Sequence, residues 1–146
     1  MLVLVSVLKF KMRRIDEIII HCSATREGAE FHASDIDKWH KAKGWNGIGY
    51  HYVIALDGRV EEGRSLDKVG AHCAGHNAHS IGICYIGGVD KDGKPKDTRT
   101  SKQKAALWAL LRELVVRFPN VKIHGHNYYA AKACPSFDAD KEYGII

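Results

Sequence analysis

The segment IDEIIIH at residues 15–21 constrains the fold more than any other part of the sequence. It is rich in β-branched residues and almost continuously apolar, which is typical of a strand covered on both faces. A strand with one face in water would instead alternate apolar and polar residues. We therefore predict a central strand that ends at His21, in a sheet that carries other elements on both sides.

Two further patterns predict neighbouring strands. Residues 50–56 and 59–62 flank Asp57-Gly58, a dipeptide typical of a two-residue β-hairpin turn. Residues 81–86 (IGICYI) are another apolar segment, which predicts a second buried strand.

A short helix is predicted between the first strand and the hairpin. Ser34 is a candidate N-cap with Asp37 three residues further on, and this pattern favours a helix start. The helix would run through Trp39 and His40, and Gly44 could end it.

A long helix is predicted in the second half of the chain. Thr100 and Gln103 form the pattern of a capping box, and Pro119 ends the apolar periodicity that follows. Residues 121–123 predict one more short strand, after which the sequence indicates irregular structure up to Cys134.

These elements predict an α/β fold, a single domain with a central mixed β-sheet flanked by α-helices. A chain of 146 residues with 45% hydrophobic residues suits one core. We assign residues 15–146 to this domain.

Residues 1–14 (MLVLVSVLKFKMRR) are an N-terminal extension or an edge strand, unless Met12 is the biological start. Their positive charges follow the apolar run and no cleavage site is visible, so they make a poor secretory signal. The run is also too short to span a bilayer. We expect synthesis in the cytoplasm and no membrane span.

The formal net charge of +5 and the pI near 9.0 favour an anionic partner, for which bacterial wall polymers and nucleic acids both qualify. Lys and Arg are spread along the chain without a block, as on a solvated basic surface. No helix-turn-helix, zinc-finger or RNA-binding signature is visible, so we expect no nucleic-acid partner.

Four cysteines form no CxxC pair, which argues against a four-cysteine zinc site or a redox dithiol. We expect them to be mostly reduced. Cys22 should point to the face opposite His21, and Cys84 lies inside an apolar strand. Both are predicted to be inert core thiols.

Nine histidines are many for this length, and their placement is informative. His21 closes the first strand, and His126 follows the last one, eight residues before Cys134. Two imidazoles and one thiolate make a three-ligand zinc set, which leaves the fourth tetrahedral position for water or substrate. This spacing fits no general zinc pattern, so satisfied core histidines and a buried free cysteine stay open as the alternative.

Four motifs stand in order along the chain: IIIHCSAT (18–25), GWNGIGYHYVI (44–54), GRSLDKVGAHCAGHNAHSIGICYIGG (63–88) and KACPSFD (132–138). Together they resemble the N-acetylmuramoyl-L-alanine amidase family of the phage T7 lysozyme type, which is related to animal peptidoglycan recognition proteins. The resemblance covers about residues 15–138 and omits the N-terminal extension and the tail.

The resemblance implies three Zn²⁺ ligands: His21, His126 and Cys134. It also implies that Tyr50 and Lys132 are the catalytic pair. His124 is a competing ligand, but the eight-residue step back from Cys134 matches the family at His126.

The implied roles suit the chemistry of amide hydrolysis. The Lys132 ammonium could stand beside a tetrahedral oxyanion. The Tyr50 phenol could orient the water or the scissile carbonyl, or carry a proton. Without the motif context, a strand tyrosine is usually a packing residue and such a lysine is usually solvated. His51 should point to the opposite face from Tyr50 and is interpreted as structural.

The glycine-rich loop at residues 70–82 lines the substrate groove in the family, which makes His72, Asn77 and Ser80 the substrate-binding candidates. Hydrogen bonding within the loop is the alternative interpretation of their side chains.

The resemblance implies hydrolysis of the amide between the lactyl group of N-acetylmuramic acid and L-alanine in peptidoglycan. It suits a monomeric phage or prophage-type lysin that acts on the cell wall after release, and a wall-recycling enzyme stays open as the alternative. A non-catalytic peptidoglycan-binding module is the main rival, but such relatives typically lack the cysteine ligand. A cysteine protease with Cys134 as nucleophile and His126 as base would leave His21 and the Tyr50/Lys132 pair unexplained.

Overall fold

The computed structural model describes residues 12–144 and residue 146. Five strands of the described chain form one sheet: β1 (Glu17–Cys22), β3 (Tyr52–Ile54), β4 (Val60–Glu62), β5 (Ser80–Tyr85) and β7 (Lys122–Gly125). Their spatial order is β4-β3-β5-β1-β7. β3 and β4 pair antiparallel, whereas the other neighbours pair parallel. The predicted mixed sheet is confirmed.

β1 lies between β5 and β7 and pairs parallel with both. Ile18, Ile19 and Ile20 are fully buried, as the apolar pattern predicts. The strand runs one residue beyond His21, to Cys22. Because parallel strands point in the same direction, the carboxyl ends of β1, β5 and β7 meet at one edge of the sheet.

The hairpin of β3 and β4 is confirmed, and Gly58 at its turn has φ +87°. β3 is shorter than predicted, because Tyr50 and His51 precede it. There the chain approaches the loop of residues 70–80 closely, and Ala71 N donates to Gly49 O at 3.1 Å. A Cβ on Gly49 would lie 2.0 Å from Ala71 O, so only glycine fits.

The first helix, α1 (Ala33–Ala42), covers one face of the sheet through Ile36. Its predicted N-cap was wrong: His32 is the cap, and its N–H donates to Asp35 Oδ2 at 2.8 Å. Ser34 lies inside the first turn. The prediction relied on the general preference for serine at N-cap positions, whereas the hydrogen bond from His32 N to the Asp35 carboxylate determines where this helix begins. Gly44 follows the helix end with φ +91°.

The long helix, α2 (Ser101–Arg117), begins at the predicted capping box. Thr100 Oγ1 accepts from Gln103 N at 3.0 Å, and Gln103 Oε1 accepts from Thr100 N at 2.9 Å. The buried Gln103 amide also donates to the carbonyls of Ile54 and Ile86. The capping residue thus joins the helix to the sheet, on the face opposite α1.

Four short elements were not predicted: β2 (Thr25–Arg26), β6 (Gly88–Val89), α3 (His126–Tyr129) and α4 (Ala139–Tyr143). β2 and β6 form a small parallel pair. The buried Arg99 side chain holds α4, bonding Glu142 at 2.7 Å and Tyr143 Oη at 2.7 Å. Each of these four elements has only two to five residues, too few to show a periodic pattern in the sequence.

Residues 12–14 form no strand, and the rest of the predicted N-terminal extension or edge strand lies outside the described residues. Within the described chain, no helix combines the length and the apolar character that crossing a membrane requires. Cys22, Cys73, Cys84 and Cys134 are all free thiols. Cys22 and Cys84 are buried, as their apolar surroundings predict.

His51 has a structural environment, as interpreted from the sequence. The buried imidazole accepts Gly82 N at Nδ1 (3.0 Å), so Nε2 carries the proton and donates to Lys68 O at 2.9 Å. Burial, aided by the nearby Arg13 and Arg64 guanidinium groups and partly offset by the hydrogen bond to Lys68, lowers the pKa of His51 from 6.5 to about 4. Protonation at Nδ1 would break the bond to Gly82.

The stability that neutral His51 contributes is therefore complete above about pH 6.5 and is lost as the pH falls toward 4. The unfolded chain takes up this proton first, and the loss amounts to roughly 3 kcal/mol. We expect His51→Asn, which keeps an acceptor for Gly82 N, to be less stable at pH 7. The difference in unfolding free energy between the wild type and this variant should become smaller as the pH falls from 6.5 to 4.5. A gap independent of pH would contradict this account.

Candidate active site

Three side chains from distant parts of the chain meet at the carboxyl edge of the sheet. His21 comes from the end of β1, His126 opens α3 directly after β7, and Cys134 lies in the following loop. One ligand atom from each lies within 4.8 Å of the others. Parallel pairing of β1 with β7 brings the two histidines together, with ring centroids 4.6 Å apart.

The geometry and the donor types of this group fit zinc. Zinc lies about 2.0–2.1 Å from histidine nitrogen and about 2.3 Å from cysteine sulfur, so tetrahedral ligand atoms stand roughly 3.3–3.8 Å apart. His21 Nδ1 and Cys134 Sγ are 3.8 Å apart. Among the described residues, the group contains these three His and Cys ligands and no carboxylate.

Both imidazoles of the group are suited to metal binding, which requires the neutral form. Burial holds the pKa of His21 well below its usual value, and the nearby His72, His126 and Lys132 lower it further. Burial and the Lys132 charge lower the pKa of His126 as well. Neither proton therefore competes strongly with a cation near neutral pH.

His124 is engaged elsewhere. Its Nδ1 bonds the Asp140 carboxylate, and its ring stacks on Tyr128 with centroids 4.0 Å apart. The other Asp140 oxygen accepts Gly125 N at 3.1 Å. His124 thus connects β7 to α4, and the group that could hold a metal includes His126 in its place.

Tyr50 lies beside the three candidate ligands, with its ring centroid 5.0 Å from that of His21. Burial, followed by the nearby thiols, raises the pKa of Tyr50 well above its usual value, so the phenol keeps its proton. Lys132 is exposed, and its charge acts on both His21 and His126. The structure therefore brings Tyr50 and Lys132 to the same group.

These side chains border a groove of about 540 Å³. Its lining includes Tyr50, His72, Asn77, His126 and Lys132, together with the aromatic side chains of His40, Trp45 and Tyr129. The groove is partly open to solvent and large enough for part of a polymer chain.

The loop at residues 70–80 contains the other predicted site residues. Asn77 Oδ1 accepts the backbone N–H groups of His72 and Cys73, each at 2.9 Å. His72 Nδ1 bonds His21 Nε2 at 2.8 Å, and His72 Nε2 bonds Ser80 Oγ at 3.1 Å. Ser80 is fully buried under His72 and, unlike His72 and Asn77, does not line the groove.

His40 was not predicted as a site residue. Its Nδ1 accepts Gly49 N at 2.9 Å, and its ring packs against Trp45 and Tyr50. The sequence held one signal: His40 follows Ile36 by four residues on α1, so a polar ring occupies the buried face of the helix.

A family model described as N-acetylmuramoyl-L-alanine amidase matches residues 11–137. The chain belongs to this amidase family. The resemblance found in the four sequence motifs is thereby confirmed.

Individual amidases and related proteins agree with this assignment. The endolysin of Escherichia phage T7 is 42% identical over 131 residues, which cover 89% of this chain and 87% of that protein. The amidase LysC from Clostridium intestinale URNW is 29% identical with a TM-score of 0.77, covering 89% and 82% of the two chains. Bumblebee PGRP-SA is 26% identical with a TM-score of 0.72, covering 92% and 87%.

The two neighbouring histidines of this amidase allow a matched test of the ligand set. We expect His126→Ala to lose zinc on purification without added metal, because one of three donors is removed. His124→Ala should keep about one ion per chain. Metal analysis by mass spectrometry measures both. Retention of zinc by His126→Ala, with loss in His124→Ala, would reverse the assignment.

Proposed function

We propose that this protein hydrolyses the amide between N-acetylmuramic acid and L-alanine in peptidoglycan, with Zn²⁺ as cofactor. The observation that carries the proposal is the group of two histidines and one cysteine beside Tyr50 and Lys132 in an open groove. Three protein donors leave one tetrahedral position for water or substrate, as catalytic zinc sites require. Membership of the amidase family supports the same reaction.

A zinc ion held by His21, His126 and Cys134 would supply a Lewis acid that polarises the scissile carbonyl and promotes ionisation of water. The protein's own groups would perform the remaining tasks. The protonated Tyr50 phenol can donate a hydrogen bond to the carbonyl oxygen. That oxygen gains negative charge as the carbonyl carbon becomes tetrahedral, so the hydrogen bond would strengthen during the reaction.

Lys132 would stabilise the same developing charge. Its ammonium is exposed in the free protein, and a bound glycopeptide would cover the groove and exclude water. A fixed donor in such a site contributes about 3–4 kcal/mol to transition-state stabilisation. The leaving amine takes up a proton as the C–N bond breaks, and the products are a free lactyl carboxylate and a peptide with N-terminal alanine.

The biological setting belongs to the same proposal. Relatives named endolysin come from phages, among them T7. We infer that this amidase is a phage or prophage-type lysin, made in the cytoplasm, that acts as a monomer on the cell wall after release. The basic composition suits an anionic wall polymer.

Digestion of purified peptidoglycan tests the reaction. We expect new N-terminal alanine, measured by end-group labelling, without new reducing sugar ends. Reducing ends alone would indicate glycosidase chemistry and overturn the proposal. Binding to peptidoglycan without any release would instead favour a non-catalytic recognition module, the alternative suggested by the likeness to PGRP-SA.

The Lys132 role can be tested separately from metal binding. We expect Lys132→Met to lower kcat about 10²–10³-fold, because the oxyanion loses its charged neighbour. Zinc content should stay near that of the wild type. Lys122→Met, on the exposed side of β7, is the matched control and should keep full activity. Equal kcat values for the two variants would exclude this role for Lys132.

A further inference from the structure

The two ring nitrogens of His21 face different partners. Nδ1 faces Cys134 Sγ at 3.8 Å, whereas Nε2 forms a 2.8 Å hydrogen bond with His72 Nδ1. We propose that His72, supported by Ser80, is a positioning residue that fixes the tautomer and the ring orientation of His21. This inference rests on the proposed function only in taking His21 as a metal ligand.

The direction of each hydrogen bond follows from the candidate ligand set. Nδ1 of His21 must be free of a proton to bind a cation, so its proton resides on Nε2 and is donated to His72 Nδ1. His72 then carries its own proton on Nε2, which Ser80 Oγ accepts at 3.1 Å. One tautomer of each ring satisfies both bonds.

The surroundings hold the His72 ring in this position. A Cβ on Gly82 would lie 2.7 Å from both Cγ and Cδ2 of His72, and a Cβ on Gly70 would lie 2.7 Å from Cδ2. Two glycines therefore make the space that the ring fills. Asn77 Oδ1 fixes the backbone below it by accepting the N–H groups of His72 and Cys73.

Both polar atoms of the His72 ring are already used. Nδ1 is bonded to His21 and Nε2 to Ser80, so neither nitrogen remains to bind a substrate group. Ser80 is fully buried and reaches the groove only through His72. The geometry thus favours a role for His72 and Ser80 in positioning the ligand His21. The family resemblance had implied that both residues bind the substrate directly.

Zinc affinity, measured by competition with a chromophoric chelator, tests the inference without substrate. Outer hydrogen-bond partners of metal ligands typically contribute 10–100-fold to affinity, and we expect His72→Leu to weaken binding by about this factor. His72→Asn should restore much of it, because its amide oxygen can replace Nδ1 as the acceptor. His79→Leu, an exposed histidine of the same loop, should bind zinc like the wild type.

A second variant and a spectroscopic measurement test the same role of His72 independently. Ser80→Ala is a smaller change than His72→Leu and should weaken zinc binding several-fold. It tests the same inference if His72→Leu does not fold. The Co²⁺-substituted protein should show an altered visible absorption spectrum in His72→Leu, since the His21 ring is no longer held. Wild-type zinc affinity in His72→Leu, with only a higher KM for peptidoglycan, would overturn the inference. Failure of the wild type to bind zinc would instead refute the proposed function.

Discussion

Parallel pairing of β1 with β5 and β7 determines where the three candidate metal ligands lie. It requires the fully buried isoleucines of β1 and sends the carboxyl ends of three strands to one edge. His21 is the last residue but one of the central strand there, and the residue after β7 is His126. The fold itself thus makes neighbours of His21 and His126, which lie more than a hundred positions apart in the sequence.

A second layer of polar contacts connects this edge to the groove. The loop at residues 70–80 bonds its own backbone through Asn77 and reaches His21 through His72. Close backbone approach at Gly49 places Tyr50 against the same histidine. Buried polar groups are costly unless paired, and His21, His72 and Ser80 pair through their side chains. The site is consequently built into the core, whereas Lys132 stands at its solvent side.

The sequence predicted the parts of this arrangement that depend on local pattern. Continuous apolar character identified β1, Asp57-Gly58 identified the hairpin, and Thr100 with Gln103 identified the start of α2. The convergence of His21, His126 and Cys134 could not follow from spacing, because it depends on which strands pair, and the family motifs supplied it. Burial of Ser80 and the space beside Gly82 for the His72 ring depend on tertiary packing, so periodicity gave no sign of them.

X-ray absorption at the zinc K edge, on protein purified without added metal, determines which atoms surround the bound ion. We expect one sulfur neighbour at about 2.3 Å and three nitrogen or oxygen neighbours at about 2.0–2.1 Å, one of them from outside the protein. Two sulfur neighbours would mean that Cys22, whose N–H bonds Cys134 Sγ at 3.3 Å, closes the site as a fourth ligand. That result, or the absence of zinc, would contradict a zinc site that has three protein ligands and one open position.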